Sequence, residues 1–241
     1  MMRVAVVTPY FRESDDVLRQ CLDSVSAQNH PVSHILVADG FPKNWVCDLA
    51  ARHIVLPGSG HGDNGNLARA VGAAVAVSED YDAIALLDAD NWYRPDHISS
   101  LLALHDQTGA AICTSGRSLQ RMDGSALKAL DPESEGVNFA DTSCLLYFRP
   151  AFALLPLWGL MPRKFGPICD RIMWAAIQSR KIRTAHSGMP SMAFRTCYCN
   201  HYKVAGETPP PDCKASPEIE RLVVVWNELS DEERARVLFC R

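Results

Sequence analysis

Nowhere does the chain carry the run of about 18 apolar residues that a membrane-spanning helix needs, although 47% of its residues are hydrophobic. It also lacks an excess of positive charge. With 24 Lys and Arg against 28 Asp and Glu, its formal net charge is −4, which excludes nucleic acid as a partner held by bulk electrostatics. A leader pattern, an internal repeat and a low-complexity tract are missing too. Cysteine is not scarce. There are nine, and Cys21, Cys113, Cys144 and Cys169 fall in apolar stretches where they read as small buried hydrophobes. Without an export pattern, the expectation is a reduced, cytoplasmic protein, with attachment to the inner face of a membrane left open. The 241 residues suffice for one large domain.

The most informative stretch is 81–97, YDAIALLDADNWYRPDH. A short apolar run at 83–87 stops at Asp88-Ala89-Asp90, the pattern of a strand buried on both faces. Pro95 and the spacing of His97, Ile98, Leu101, Leu102 and Leu104 then predict an amphipathic helix. Two carboxylates therefore stand at the C-terminal end of a core strand, where open α/β sheets bind ligands. In an extended chain they point to one side. The pair reads two ways: as hard oxygen ligands for Mg²⁺ or Mn²⁺, or as a solvated turn.

Around this stretch, strand and helix patterns alternate. Residues 3–8 form a first strand ending at Pro9. Ser14 caps a helix with Asp15 and Asp16 in its first turn and Val17, Leu18, Cys21, Leu22 and Val25 as its apolar face. A strand at 34–38 ends at Asp39-Gly40. A short helix over 46–51, a strand at 53–56, the loop GSGHGDNG at 58–65 and a helix at 66–77 follow, and a further strand lies at 110–114. This βαβ rhythm predicts a mainly parallel sheet with helices on both faces. After Gly116 it breaks. A polar, acidic excursion at 122–136 precedes a strand at 142–148. Residues 154–166 hold too much Pro and Gly for a helix. They carry Trp158 and Phe165 and read equally as a substrate wall rimmed by Arg163 and Lys164 or as a packed connection. A helix at 167–179, a strand at 182–185, a mobile or extended proline-rich piece at 206–217 and a helix at 218–229 complete the order. SDEE at 230–233 is a capping box for a last helix.

Thr8-Pro9-Tyr10, Asp39-Gly40 and Asp88-Ala89-Asp90 thus fall on one sheet edge, with the glycine-rich loop between them, as a nucleotide site requires. Asp39 can accept a ring N–H of a base, and Arg69 can pair with phosphate. A cation at Asp90 would bridge a diphosphate. Cys197, Cys199, His201 and Cys213 do not follow the common structural zinc spacings. His61 is either exposed or in contact with the donor, and Trp92 and Tyr93 either stack on a sugar or pack.

These residues resemble glycosyltransferase family 2, whose members have the nucleotide-diphospho-sugar (GT-A) fold. The resemblance rests on VAVVTPYFRESDDVLRQCLDSV, ILVADG, GDNGNLARAVGAAV and IALLDADNWYRPDHI, in order. TSCLLYFRPAF and GPICDRIMWAAI match more loosely. It implies a GT-A type α/β fold: a mainly parallel central sheet flanked by helices, with a smaller mixed acceptor-side region and C-terminal helices. Residues 1–116 would be the nucleotide-sugar half, 117–205 the acceptor side, and 206–241 a Pro-rich loop with the last helices. By this resemblance Thr8, Pro9 and Tyr10 line the base and ribose pocket and Asp39 bonds the base. Gly65, Asn66, Arg69 and Ala89 complete the donor site. Asp88 touches the ribose, or the metal through water, and Asp90 binds the metal, Mn²⁺ or Mg²⁺, directly. His201 either completes the metal shell ahead of a mobile loop from Gly206, with Lys203 within reach of phosphate, or is an ordinary exposed or packed histidine.

The resemblance further implies transfer of a sugar from a nucleotide-diphospho-sugar, UDP favoured, to a hydroxyl of a saccharide, lipid-linked or other acceptor, with inversion. Asp170, opening a helix, is the implied base, with Asp141 as competitor. Cys169 replaces the first acid of the family's usual pair, and Ala70 replaces a common Asn. Two other classes compete. A nucleotidyltransferase wants a glycine-rich, basic loop after the first strand, where this chain has only Arg12. A non-catalytic nucleotide-sugar-binding module would not need the acids.

Overall fold

The computed structural model describes residues 1–48, 52–128, 134–215 and 217–239. In chain order the elements are β1 (Val4–Tyr10), α1 (Asp15–Ser26), β2 (Val32–Asp39), β3 (Arg52–Leu56), α2 (Asn66–Ser78), β4 (Ala83–Leu86), β5 (Trp92–Tyr93), α3 (His97–Thr108) and β6 (Ile112–Thr114). Then follow β7 (Arg117–Gln120), β8 (Leu145–Phe148), α4 (Leu157–Leu160), α5 (Cys169–Ser179), β9 (Thr184–His186), β10 (Met192–Arg195), α6 (Cys199–Val204), α7 (Pro217–Glu228) and α8 (Asp231–Phe239).

The larger sheet runs β3-β2-β1-β4-β8-β6-β9. β3, β2, β1 and β4 are parallel, β8 is antiparallel to both its neighbours, and β9 is parallel to β6. The two-residue alternation of β1 sorts its side chains between two cores. Ala5 and Val7 join Ile35, Val37 and the α2, α4 and α5 side chains Ala73, Trp158 and Ile172. Val4 and Val6 join Leu36, Ala38 and the α1 and α3 side chains Leu18 and Ile98. Every residue of β1 is buried, which is why its sequence is a continuous apolar run rather than an alternating one. On α2, Gly72 packs directly against Val7 and Val37 of the sheet. A Cβ there would lie 2.4 Å from Cγ1 of Val7.

The strand order turns around at β1 and β4, so the crevice beyond their C-termini is the natural ligand site. β1 runs two residues further than its expected end. Its ladder with β4 stops at Val7↔Leu86, while that with β2 continues through Pro9↔Val37 to Tyr10↔Ala38. The expected helix over 46–51 is a 3₁₀ turn, Asn44–Asp48, and 49–51 lie outside the described residues.

The smaller mixed region is a second sheet, β5-β10-β7, whose individual strands the sequence pattern does not mark. β10 pairs antiparallel with β5 and parallel with β7, so residues beyond 190 are tied to the segment just after Asp90. The expected strand at 142–148 opens as a 3₁₀ turn and becomes β8 only at Leu145. Of the polar excursion at 122–136, residues 129–133 lie outside the described residues. At 154–166 the packed reading holds: Trp158 and Phe165 are buried and a helical turn, α4, fits between the prolines. The capping box at the start of α8 forms reciprocally, Ser230 N–H donating to Glu233 and Glu233 N–H to Ser230 Oγ. Among the described residues, no helix is long and apolar enough to cross a membrane.

Candidate active site

A cavity of about 950 Å³ opens at the C-terminal edge of β1, β2 and β4. Eight acidic side chains line it against five basic ones. Of the residues expected there, Pro9, Tyr10, Asp39, Gly65, Arg69, Asp88, Ala89, Asp90, Asp141, Asp170 and His201 do line it.

Thr8 and Asn66 do not. Because β1 continues to Tyr10, Thr8 stays in the sheet interior, fully buried, its Oγ1 2.8 Å from His34 Nε2. Tyr10 replaces it at the edge, with its hydroxyl 2.7 Å from His53 Nε2 and accepting the Lys43 N–H. Asn66 turns its Oδ1 to Arg69.

The Asp88-Ala89-Asp90 segment is a turn rather than an extended strand end, closed by Asn91 N–H donating to the Asp88 carbonyl at 3.0 Å. It is not a loose solvated turn. Ser143 Oγ accepts from the Asp88 N–H and from the Asn91 amide. From β10, Arg195 donates its backbone N–H to Asn91 Oδ1 and its Nε to the Asp90 carbonyl. The second sheet therefore braces this turn.

Arg69 was expected to face phosphate. The structure instead gives its guanidinium to Asp88, with Nη2 2.5 Å and Nε 3.2 Å from Oδ1, while Nη1 donates to the Asn64 carbonyl and Asn66 Oδ1. It lies 5.2 Å from the Trp158 ring centroid, on which it rests. Arg69 thus orients Asp88 from a buried position. Ala70, at the departure from the family pattern, touches α4: a Cβ on Gly159 would lie 2.9 Å from that of Ala70. A small residue is needed for the two helices to meet.

Asp90 remains open to water at the cavity floor while protein surrounds its other sides. Desolvation, then the neighbouring Asp88 charge, push its carboxyl up to about 7. Asp170, in the first turn of α5, accepts the Arg171 N–H at 2.7 Å. Burial and then Asp141 raise it to about 6. Asp141 is buried and fully engaged. It takes Arg117 Nη1 at 2.7 Å on Oδ2 and the Ser143 N–H at 2.9 Å on Oδ1, and burial still pushes its carboxyl up. Cys169 is a buried neutral thiol, raised to about 12 mainly by burial.

His201 is buried on α6, with Nδ1 2.6 Å from Thr196 Oγ1. Of the four residues weighed as a zinc set, Cys199 and Cys213 form a disulfide, so two of the nine cysteines are not the reduced residues expected and cannot ligate an ion as thiolates. The proline-rich segment is held rather than loose. Besides the disulfide, Lys214 exchanges backbone bonds with Cys197 and Cys199, and Glu207 pairs with Arg121. Lys214, not Lys203, reaches the cavity. Trp92 and Tyr93 pack: Tyr93 is buried, donates to the Leu86 carbonyl and stacks on His97, and Trp92 lies against Arg195. Sequence reading missed Phe11, Asn91, Arg117 and Arg195. Arg117 and Arg195 act through partners far along the chain, so no local pattern marks them.

The sequence profile of Glycosyl transferase family 2 matches residues 5–140, more than half of the chain and all of the β1–β4 crevice. The chain belongs to this family. It is 33% identical over 106 residues to the succinoglycan biosynthesis protein ExoW of Rhizobium meliloti (strain 1021), a match covering 41% of this chain and 32% of that protein. The chain thus aligns with about a third of the length of that relative. Two structures of S. aureus TarS 1-349 share the fold. The complex with UDP has a TM-score of 0.62 at 14% identity, covering 98% of this chain and 70% of that one. The complex with UDP-GlcNAc has a TM-score of 0.54 at 12% identity, with the same coverage. The family's GT-A architecture is therefore the one observed here, with β5-β10-β7 as its smaller mixed sheet.

Proposed function

We propose that the chain is a metal-dependent, inverting glycosyltransferase that moves a sugar from a nucleotide-diphospho-sugar, UDP favoured, to an acceptor hydroxyl. The observation that carries it is the meeting of Asp88, Asp90 and Asp170 in one cavity at the strand C-termini. Family membership and the UDP bound by TarS support the donor class. The acceptor is open: a saccharide, a lipid-linked or another hydroxyl compound.

The residues fit Mn²⁺ or Mg²⁺. Such ions take one or two carboxylates and complete their shell with phosphate oxygens and water, so Asp88 and Asp90 are a sufficient protein share. The excess of acids would repel a diphosphate entering alone. Among the described residues, no group of three or more His, Cys, Asp and Glu is placed to hold an ion. His201, held by Thr196 through Nδ1, is therefore not counted in that share. When bound, the ion would offset charge developing on the leaving diphosphate.

The protein's own side chains do the rest. Arg69 fixes the Asp88 carboxylate, and Ser143 and Arg195 hold the turn that presents Asp90. Asp170 takes the proton from the attacking hydroxyl. A raised pKa brings it closer to neutrality, where a general base works best. Asp141 is the weaker candidate, because both its oxygens are committed to Arg117 and Ser143. Direct attack with a single base inverts the anomeric centre. In this reading 1–116 hold the donor and 117–205 face the acceptor. Incubation with UDP-sugars and Mn²⁺ tests it: nucleoside diphosphate release that ceases on chelation supports the proposal, while release unaffected by chelator removes the metal from it.

A further inference from the structure

Two separate stretches meet at one wall of the cavity. Cys197, Tyr198, Asn200 and His201 come from the start of α6, and Lys214 and Ala215 from the strap 206–215 that leads to α7. Little besides one covalent bond joins them. The Lys214 N–H donates to the Cys197 carbonyl at 2.6 Å and the Cys199 N–H to the Lys214 carbonyl at 3.0 Å, a single bridge between Tyr198 and Lys214. The other end of the strap is held by Glu207 on Arg121, a pair about a third exposed on both sides, and such a pair contributes little. The covalent bond is Cys199–Cys213, between positions 14 apart. Both of its cysteines are only half-buried, within reach of a thiol from solvent, whereas Cys21, Cys113, Cys144 and Cys169 are buried.

We propose that Cys199–Cys213 is a reversible redox latch: closed, it seats the strap as a wall of the cavity, and reduced, it releases that wall and weakens ligand binding. The identity of the ligand rests on the nucleotide-sugar reading above. Opening takes two electrons. A thiolate of a dithiol attacks one sulfur, and the S–S bond breaks as a mixed disulfide forms. The second sulfur of the dithiol then displaces the protein, leaving two cysteine thiols and a cyclic disulfide. Glutathione disulfide reverses this, oxidising the two protein thiols and leaving as two molecules of glutathione. Opening does not unfold the chain, because α7 keeps its place through Trp226 against Phe165 and through Ile219 and Leu222 on the core. The cost falls on the strap. With the latch closed, the wall is ordered before a ligand arrives. With it open, the ligand has to order the wall, and affinity falls in proportion to the fraction of molecules whose strap is seated. Lys214 adds to the effect. It is an exposed cation on a cavity where eight acids face five bases, so its withdrawal increases the repulsion of an anionic ligand.

The test compares three samples of the full chain: oxidised, reduced with dithiothreitol and desalted without air, and reoxidised with glutathione disulfide. Each is titrated calorimetrically with UDP and Mn²⁺, and trypsin cleavage after Lys214 is timed by mass spectrometry. Denatured protein should show two more thiols after reduction. Reduction should weaken UDP about tenfold, the effect of a strap seated in one molecule in ten, and should speed cleavage after Lys214 by a similar factor. Reoxidation should restore both. The double variant Cys199→Ser, Cys213→Ser should match the reduced form and ignore dithiothreitol. Unchanged UDP affinity on reduction overturns the proposal, as does no gain of thiols or an equal loss of affinity when the double variant is treated. If UDP binds neither form, the nucleotide-site reading fails. The latch is then judged by cleavage alone: a response to reduction upholds it, and an unchanged rate overturns it.

Discussion

Replacing Asp90 with Asn should stabilise the protein without metal and abolish its stabilisation by metal and nucleotide. Asp90 carries its charge at the floor of an acid-rich cavity, beside Asp88, and its carboxyl is raised from 3.8 to about 7. A raised acid contributes stability below the unfolded pKa, near 4, and loses that contribution as pH rises through about 7. Without metal, wild type should therefore weaken relative to Asp90→Asn between pH 5 and 8. The difference is modest because water reaches the side chain. Ligand reverses the order. At a hundred times the dissociation constant, a ligand that binds only the folded state adds about 2.7 kcal/mol. For a chain of this size each kcal/mol moves Tm by about 2–4 °C. UDP with Mn²⁺ should thus raise the wild-type midpoint by about 5–11 °C and leave that of Asp90→Asn where it was. Thermal scans at pH 5, 6.5 and 8, with EDTA or with UDP and Mn²⁺, read both arms. A Mn²⁺-dependent shift of normal size in Asp90→Asn would refute the ligand assignment. Parallel metal-free profiles would refute the electrostatic argument.

Asp170→Asn should keep donor affinity, measured by UDP titration, and lose transfer by about 100-fold or more, the usual weight of a general base. Asp141→Asn removes the charge that faces the buried Arg117 and should instead lower the urea midpoint, with turnover falling less. Turnover surviving in Asp170→Asn but not in Asp141→Asn reverses the two roles. His97 is fully buried and its ring is held neutral, depressed to about 3 by burial. A depressed histidine stabilises above about pH 6.5 and loses that contribution as pH falls. Between pH 7 and 5, unfolding free energy should drop by about 2 kcal/mol more in wild type than in His97→Phe, and equal drops in denaturant titrations would count against it. Gly72→Leu drives a side chain into Val7 and should cost about 1–3 kcal/mol, read as a lower urea midpoint with an unchanged slope.

What could be read in advance divides along the chain for a physical reason. β1, β2 and β4 are buried on both faces, and α1 carries its own cap and apolar stripe, so each announces itself over a few neighbouring residues. β5, β7 and β10 are two to four residues long, and β10 exists because it pairs with chain about 75 to 100 residues earlier. No window of sequence contains that information. The site divides in the same way. Asp39, Asp88 and Asp90 lie at the ends of legible strands, so their shared edge follows from the alternating pattern. Their partners do not. Arg69 bonds Asp88 across 19 positions, His61 bonds Asp39 across 22, and Arg195 reaches Asp90 across 105. The spacing of residues along strands showed which acids could meet a ligand, but not which were already engaged. That second property separates Asp170 from Asp141, and it makes Asp39 an acid already held by His61 rather than a free acceptor.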